Sequence, residues 1–341
     1  MALRNPTPRD IFVGEFRREY YLTDEEEWIL DTPGGNALYA AVGYLVWEQE
    51  QIPGVMTRVG EDFPQTWLEE FSNQGIDVNG VVVLPRAVDL RACIIQNKDS
   101  DDLAGDPIPY LSRVGLSLPA GLIGYQDLDQ KPRKRRSAKT TAIQVSDIPN
   151  SYLGATAAHL CPLDYVSHNL LPALLRHQGF STITLDPSPL YMDPSYIGDI
   201  PALITGLTAF LPDERDLLNL YRGRSSDIWE IAEDLGRFGC ELIVIKRGAA
   251  GQYVYDTGSG KKWVIIAYPA RVKNPAGTGS AFCGGFLAGY RKTFDPLQAV
   301  LYGSVAASLV IEGTGPFFAL QALPGLAEAR LEYIQGSVRE V

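Results

Sequence analysis

From about residue 146 onward, short apolar runs alternate with helical patterns, and this rhythm limits the fold more than any other property of the chain. Residues 158–161, 181–186, 209–212 and 241–246 read as short strands, with helix-type spacing at 165–177 and 227–238 between them. Strands separated by helices lie parallel in one sheet that is covered on both faces. Two final helical patterns, 279–292 and 296–311, are apolar on most sides and predict buried helices. The first half is less regular. Residues 11–14 predict a buried strand, 17–22 and 27–31 two short polar strands, and 36–47 an apolar helix opened by Gly34 and Gly35. A strand at 54–59, a helix at 63–74 and an extended stretch at 80–96 follow, the last alternating near 89–95 as in a sheet with one wet face. With 341 residues the chain suffices for one large α/β domain or two smaller ones.

The formal net charge of −11 argues against nucleic acid or a membrane surface as the partner of the whole molecule, but leaves room for a local anion site. No run approaches the roughly 20 apolar residues of a membrane span. The first ten residues lack the apolar core of a signal peptide, so a cytoplasmic location is expected. Cys93, Cys161, Cys240 and Cys283 are far apart and in apolar contexts, which suits buried thiols rather than a structural zinc. His159, His168 and His177 read as structural. One segment breaks the pattern: residues 131–139, with Lys131, Arg133, Lys134, Arg135, Arg136 and Lys139, carry six positive charges in nine positions. A solvated loop, a nucleic-acid patch and an attractor for an anionic substrate are its three readings.

Asn274-Pro275-Ala276-Gly277-Thr278-Gly279-Ser280-Ala281-Phe282 is a glycine-rich turn running into an apolar helix. Such a turn aims unpaired backbone N–H groups at an anion. It is neither a dinucleotide fingerprint, which needs a glycine where Phe282 stands, nor a Walker A loop, which needs Gly-Lys-Ser/Thr.

Taken with four other landmarks in order, the turn resembles the ribokinase-like (PfkB) sugar kinase family. Pro33-Gly34-Gly35-Asn36-Ala37-Leu38 before an alanine-rich helix is similar to that family's N-terminal glycine pair. Gly60-Glu61-Asp62-Phe63, with Gln74-Gly75-Ile76-Asp77, is similar to its next landmark. Phe210-Leu211-Pro212-Asp213-Glu214-Arg215-Asp216 is similar to its P-N-x-x-E segment. Ile245-Lys246-Arg247-Gly248-Ala249-Ala250-Gly251 is similar to the T-x-G-x-x-G that borders the nucleotide, and Asn274 to Phe282 falls at D-T-x-G-A-G-D-A-F.

The resemblance implies one three-layer α/β domain over residues 1–341, with a central, mostly parallel sheet. It also implies a small β-sheet lid from about 15–32 and 86–112, which often pairs between subunits as a homodimer. It implies ATP with Mg²⁺ and a sugar or nucleoside acceptor. Residues 276–279 (Ala276, Gly277, Thr278, Gly279) would form an anion hole, and Lys246, Gly248, Gly251 and Asn274 would border the nucleotide. Asp213 and Asp216 would hold Mg²⁺ through water. Glu19, Gly34, Gly35, Asn36 and Tyr39 would face the acceptor, and the lid side chains Arg17, Arg18, Glu19 and Tyr20 would set specificity.

The departures matter as much. Ser280 stands where the family places its catalytic Asp, Asn274 where it has a first acid, Asp213 for an asparagine, Tyr39 for an asparagine and Lys246 for a threonine. A positioned base contributes about 10²–10⁴-fold, or roughly 3–5 kcal/mol of transition-state stabilisation. Ser280 cannot supply that. Asp186, Asp193 and Glu19 are candidate replacements. Two functions stay open: an impaired or atypical kinase, and a pseudokinase that binds nucleotide or sugar without turnover. Lys246 either meets a phosphate or ends its strand in solvent.

Overall fold

In the computed structural model, residues 7–97, 100–104, 106–126 and 139–341 are described. The basic run lies outside them except for Lys139. Among the described residues fourteen strands form in chain order: β1 (Asp10–Val13), β2 (Arg17–Leu22), β3 (Trp28–Gly34), β4 (Gly54–Gly60), β5 (Asp77–Leu84), β6 (Arg91–Asn97), β7 (Ser100–Ala104), β8 (Ala157–Leu160), β9 (Thr182–Leu185), β10 (Ala209–Phe210), β11 (Leu242–Lys246), β12 (Gln252–Asp256), β13 (Lys262–Ile265) and β14 (Arg339–Glu340). Ten of them make one sheet in the order β14-β13-β12-β11-β10-β9-β8-β1-β4-β5. The seven from β11 to β5 run parallel, and β12 to β14 extend the sheet antiparallel.

The apolar runs explain the layering. Strands β1, β8, β9 and β11 are buried at every residue, as strands covered on both faces must be. Successive side chains enter opposite cores. Phe12 joins a cluster with Ala37, Leu38, Phe282 and Phe286, whereas Ile11 and Val13 join one with Leu171, Leu203 and Ile231. No helix among the described residues is long and apolar enough to cross a membrane.

Helix Asn36–Leu45 lies against helix Thr278–Thr293, and glycines set the spacing. A Cβ on Gly43 would meet the Ala281 carbonyl oxygen at 2.1 Å, and one on Gly284 would meet the Ala40 carbonyl oxygen at 1.8 Å. The other side of helix Thr278–Thr293 packs through Gly285 and Gly289 onto helix Pro296–Val310.

The other four strands form a separate sheet, β3-β2-β6-β7. Strand β2, read from sequence as polar, is buried from Glu19 to Leu22. The reason is remote in sequence. Tyr20, Leu22, Cys93 and Ile95 pack on Leu111 and Leu122, contributed by the stretch after β7. On the opposite face of β2, the Tyr21 hydroxyl donates to the Lys273 carbonyl at 3.0 Å, tying this sheet to the segment before the glycine turn.

Gly284→Ala is expected to cost about 3 kcal/mol through overpacking. Gly198→Ala, where a Cβ meets nothing within 4 Å, should stay within about 0.5 kcal/mol. Denaturant midpoints of the two variants check this.

Candidate functional site

Both packed helices begin on a glycine with positive φ, Gly35 at 97° and Gly277 at 71°. The contacts 39/277 and 43/281 advance together, so the two helices start at the same end. Gly277 is required twice over. Its backbone is left-handed, and a Cβ there would fall 2.0 Å from the Tyr39 ring.

The turn engages some of its own N–H groups. Ala276 N–H donates to Asn274 Oδ1 at 2.8 Å, and the Thr278 N–H and hydroxyl donate to the Pro275 carbonyl at 3.2 and 2.8 Å. Ala281 N–H, bonded to the Gly277 carbonyl at 2.8 Å, makes the first helical bond. Among the described residues, the N–H groups of Gly277, Gly279 and Ser280 have no backbone acceptor. Gly279 is exposed, whereas Ser280 is 9% exposed.

Beside this turn lies Lys246, the last residue of β11. It is buried, and its ammonium lies 2.7 Å from Asp186 Oδ2 and 3.4 Å from Asp213 Oδ2. A Cβ built on Gly279 would be 3.5 Å from Nζ. Burial alone would lower the lysine pKa, but the carboxylates of Asp186 and Asp213 outweigh it and hold the group well above its ordinary value. Burial pushes the Asp186 carboxyl up to about 7, against the pull of Lys246. Asp186 Oδ1 is buried with no hydrogen-bond partner among the described residues, and Cys283 Sγ donates to Oδ2 at 3.6 Å.

Asp213 precedes helix Glu214–Leu220 with an exposed side chain, and Asp216 is buried in its first turn. Among the described residues no three metal-ligating side chains converge. Gly248 and Gly251 flank the turn after β11, both at positive φ; a Cβ on Gly251 would strike the Ile265 carbonyl at 2.0 Å, whereas Gly248 faces open space.

The residues expected from sequence to face the acceptor form a second cluster. Glu19 Oε1 accepts from Gly35 N–H at 2.8 Å and Oε2 accepts from the Tyr39 hydroxyl at 3.0 Å. Its carboxylate lies against Gly34, where a Cβ would be 2.0 Å from Cδ. Burial raises Glu19 to about 7, offset in part by the Gly35 and Tyr39 hydrogen bonds and by the Arg17 charge. The Asn36 side chain is structural, accepting from Glu15 N–H at 2.7 Å and donating to the Pro162 carbonyl at 2.8 Å. Of the other candidate acids, Asp193 caps a short helical turn by accepting from Ser195 N–H at 2.9 Å. His159 and His168 are fully buried, and burial drops them to about 3 and about 4, so both are neutral.

Sequence reading missed one pair. Lys139, grouped with the basic run, lies 2.8 Å from Glu15, whose other oxygen is 2.5 Å from Arg17. A separation of 124 residues leaves no local signal for it.

The sequence pattern of the pfkB family carbohydrate kinases matches residues 135–322. A cytidine kinase of Thermococcus kodakarensis is 27% identical over 266 residues, 77% of this chain and 82% of that one. A 5-dehydro-2-deoxygluconokinase of Lacticaseibacillus casei is 31% identical over 129 residues, 38% of each chain. An E. coli protein assigned as ribokinase II, solved with ATP and Mg²⁺, superposes with a TM-score of 0.68 at 15% identity, covering 96% of this chain and 99% of that one. The Burkholderia thailandensis nucleoside kinase in complex with inosine gives 0.65 at 19% identity, covering 96% and 99%.

Lys246→Met should lower stability by about 3–5 kcal/mol, because it leaves Asp186 buried without its cation. Adding Asp186→Leu should recover most of that loss. Chemical denaturation of the two single variants and the double variant checks the coupling.

Proposed function

The chain belongs to the pfkB family of carbohydrate kinases, and from that membership we propose that it slowly transfers the γ-phosphoryl group of ATP to a hydroxyl of a small polar acceptor. The observation that carries this reading is the helix N-terminus with three N–H groups lacking backbone acceptors and the Lys246 ammonium alongside. Phosphoryl transfer needs positioning and charge neutralisation more than covalent help from the protein. Backbone N–H groups, a helix dipole and a buried cation supply both to a triphosphate end. Gly248, Gly251 and Asn274 border the nucleotide in this reading.

Asp213 and Asp216 suit a Mg²⁺ ion kept mostly hydrated and shared with phosphates, because such a site needs only one or two protein carboxylates. The ion would supply further neutralisation of the phosphate oxygens.

The proton end is altered. Ser280 has no basic group, Asp186 is tied to Lys246 and Asp193 caps its own turn. Glu19 is the remaining acid. With its carboxyl raised to about 7 and bonded to the Tyr39 hydroxyl, it is poised for proton transfer near neutral pH. In the proposed step the acceptor oxygen bonds to the γ-phosphorus as the bond to ADP breaks. The acceptor's proton passes to Tyr39 and the Tyr39 proton to Glu19. The small sheet, anchored through Tyr21 to Lys273, would act as the lid over this step.

One observation favours a second reading, a nucleotide-binding protein without turnover. The Tyr39 ring already occupies the face of Gly277, and both Glu19 oxygens have protein partners. Calorimetry with Mg·ATP, run beside turnover assays on sugars and nucleosides, separates the two: binding without product selects the second.

Ser280→Asp is expected to raise turnover about 10²-fold or more, by restoring a base at the turn. Vigorous wild-type turnover that this change leaves untouched would contradict the proposal. Because Glu19 must be ionised to accept a proton, wild-type activity should fall as pH drops through about 7. Glu19→Gln should remove that limb and most of the rate; an unchanged pH profile would exclude Glu19 as the proton acceptor.

A further inference from the structure

Away from the glycine turn, a cavity of about 270 Å³ opens between the end of helix Glu214–Leu220 and one side of helix Ile228–Gly236. Neither the glycine turn nor the Glu19 cluster contributes to its walls. The volume falls short of the roughly 300–1,000 Å³ of pockets for drug-sized ligands and suits an occupant smaller than a nucleotide. Among the described residues that line it, Ile231 is the only aliphatic one.

The carboxylates come from one helix face. Glu230 and Asp234 are four residues apart on helix Ile228–Gly236 and lie side by side. Glu230 Oε2 accepts from the Ser225 hydroxyl at 2.5 Å, and Asp234 Oδ2 accepts from the Tyr221 hydroxyl at 2.7 Å. Among the described residues Glu230 Oε1 has no hydrogen-bond partner, and Asp234 Oδ1 has only Arg237, at 3.8 Å. The cation facing these acids is Arg224. It is exposed and forms no ion pair among the described residues, yet its charge reaches the Tyr221 hydroxyl. Burial and Asp234 push the pKa of that phenol up, and Arg224 pulls it down. Arg224 and Asp234 therefore act on one hydroxyl without pairing with each other.

Two positive and two negative groups line the cavity, so its walls are neutral in a protein of formal net charge −11. A simple anion or cation would face two charges of its own sign, whereas a ligand carrying both signs meets a partner for each. The helix end is not the anion anchor, because Asp227 closes it by accepting from the Trp229 and Glu230 N–H groups at 2.9 and 3.2 Å. We infer that this cavity binds a small zwitterion of the α-amino acid type, its carboxylate on Arg224 and its ammonium on Glu230 and Asp234. A guanidinium fork matches a carboxylate bidentately. The three donors of an ammonium suit the two open carboxylate oxygens and the Tyr221 hydroxyl oxygen. With Ile231 as its one aliphatic wall, the cavity fits a short side chain such as that of alanine or serine. The site is independent of the phosphotransfer reading, and its ligand binds whether or not ATP is turned over.

Calorimetric titration of the full-length protein with L-alanine and L-serine tests this. Each is run beside its amide, which lacks the carboxylate, and its α-hydroxy acid, which lacks the ammonium. At least one amino acid should bind about tenfold or more tightly than both of its analogues. In Arg224→Ala its preference over the amide should vanish while the amide binds as before, which a misfolded variant would not allow. In Glu230→Gln, which keeps an acceptor for Ser225, the preference over the hydroxy acid should shrink. Arg222→Ala, an exposed neighbour outside the cavity, should bind as wild type does. No binding by either amino acid, an analogue that binds as tightly, or an undiminished preference over the amide in Arg224→Ala would each overturn the inference.

Discussion

The close passage of helix Asn36–Leu45 against helix Thr278–Thr293 is the constraint on which the site depends. Glycine at 43 and 284 lets each backbone reach a carbonyl of the other, at distances no Cβ would permit. Close-packed interiors transmit such a spacing without slack. The consequence is that two glycine-started helix N-termini arrive at one end of the sheet, and Tyr39 of the first lies flat on Gly277 of the second. The cluster around Glu19 and the turn at Gly277 are thereby held by one packing contact.

Electrostatics completes what the packing brings together. Lys246 is a buried cation whose cost is met by Asp186 and Asp213, and its place beside Gly279 puts positive charge at the mouth of the turn. Glu19 is the counterpart on the other side of the Tyr39–Gly277 contact. It is a buried carboxyl with hydrogen bonds but no ion-pair contact among the described residues, and its raised pKa follows from burial. One turn thus separates a group held charged from a group poised to gain or lose a proton.

Much of this is legible in sequence where the information is local. Apolar runs at 158–161 and 241–246 mark buried strands because strands covered on both faces cannot alternate. Gly34-Gly35 and the 274–282 turn mark helix starts because only glycine takes the left-handed backbone without cost. What escapes is tertiary. A lysine ending a strand reads the same whether it meets solvent or Asp186, sixty residues earlier. Strand β2 reads as polar because the chain that covers it comes about ninety residues later, around Leu111. Nothing local in the sequence marks Gly43 and Gly284, whose purpose comes from the crossing. Tyr39 reads as a residue facing the acceptor, and its contact with Gly277 joins residues 238 positions apart.

In the proposed kinase reading, the turn before helix Thr278–Thr293 cradles the transferable phosphate with Ser280 in its first helical turn. A crystal structure with a non-hydrolysable ATP analogue and Mg²⁺ tests it most directly. The terminal phosphate is expected within hydrogen-bond distance of the Gly277, Gly279 and Ser280 N–H groups, with the Lys246 ammonium beside it. Terminal-phosphate density elsewhere, with these three N–H groups left to solvent, would contradict it.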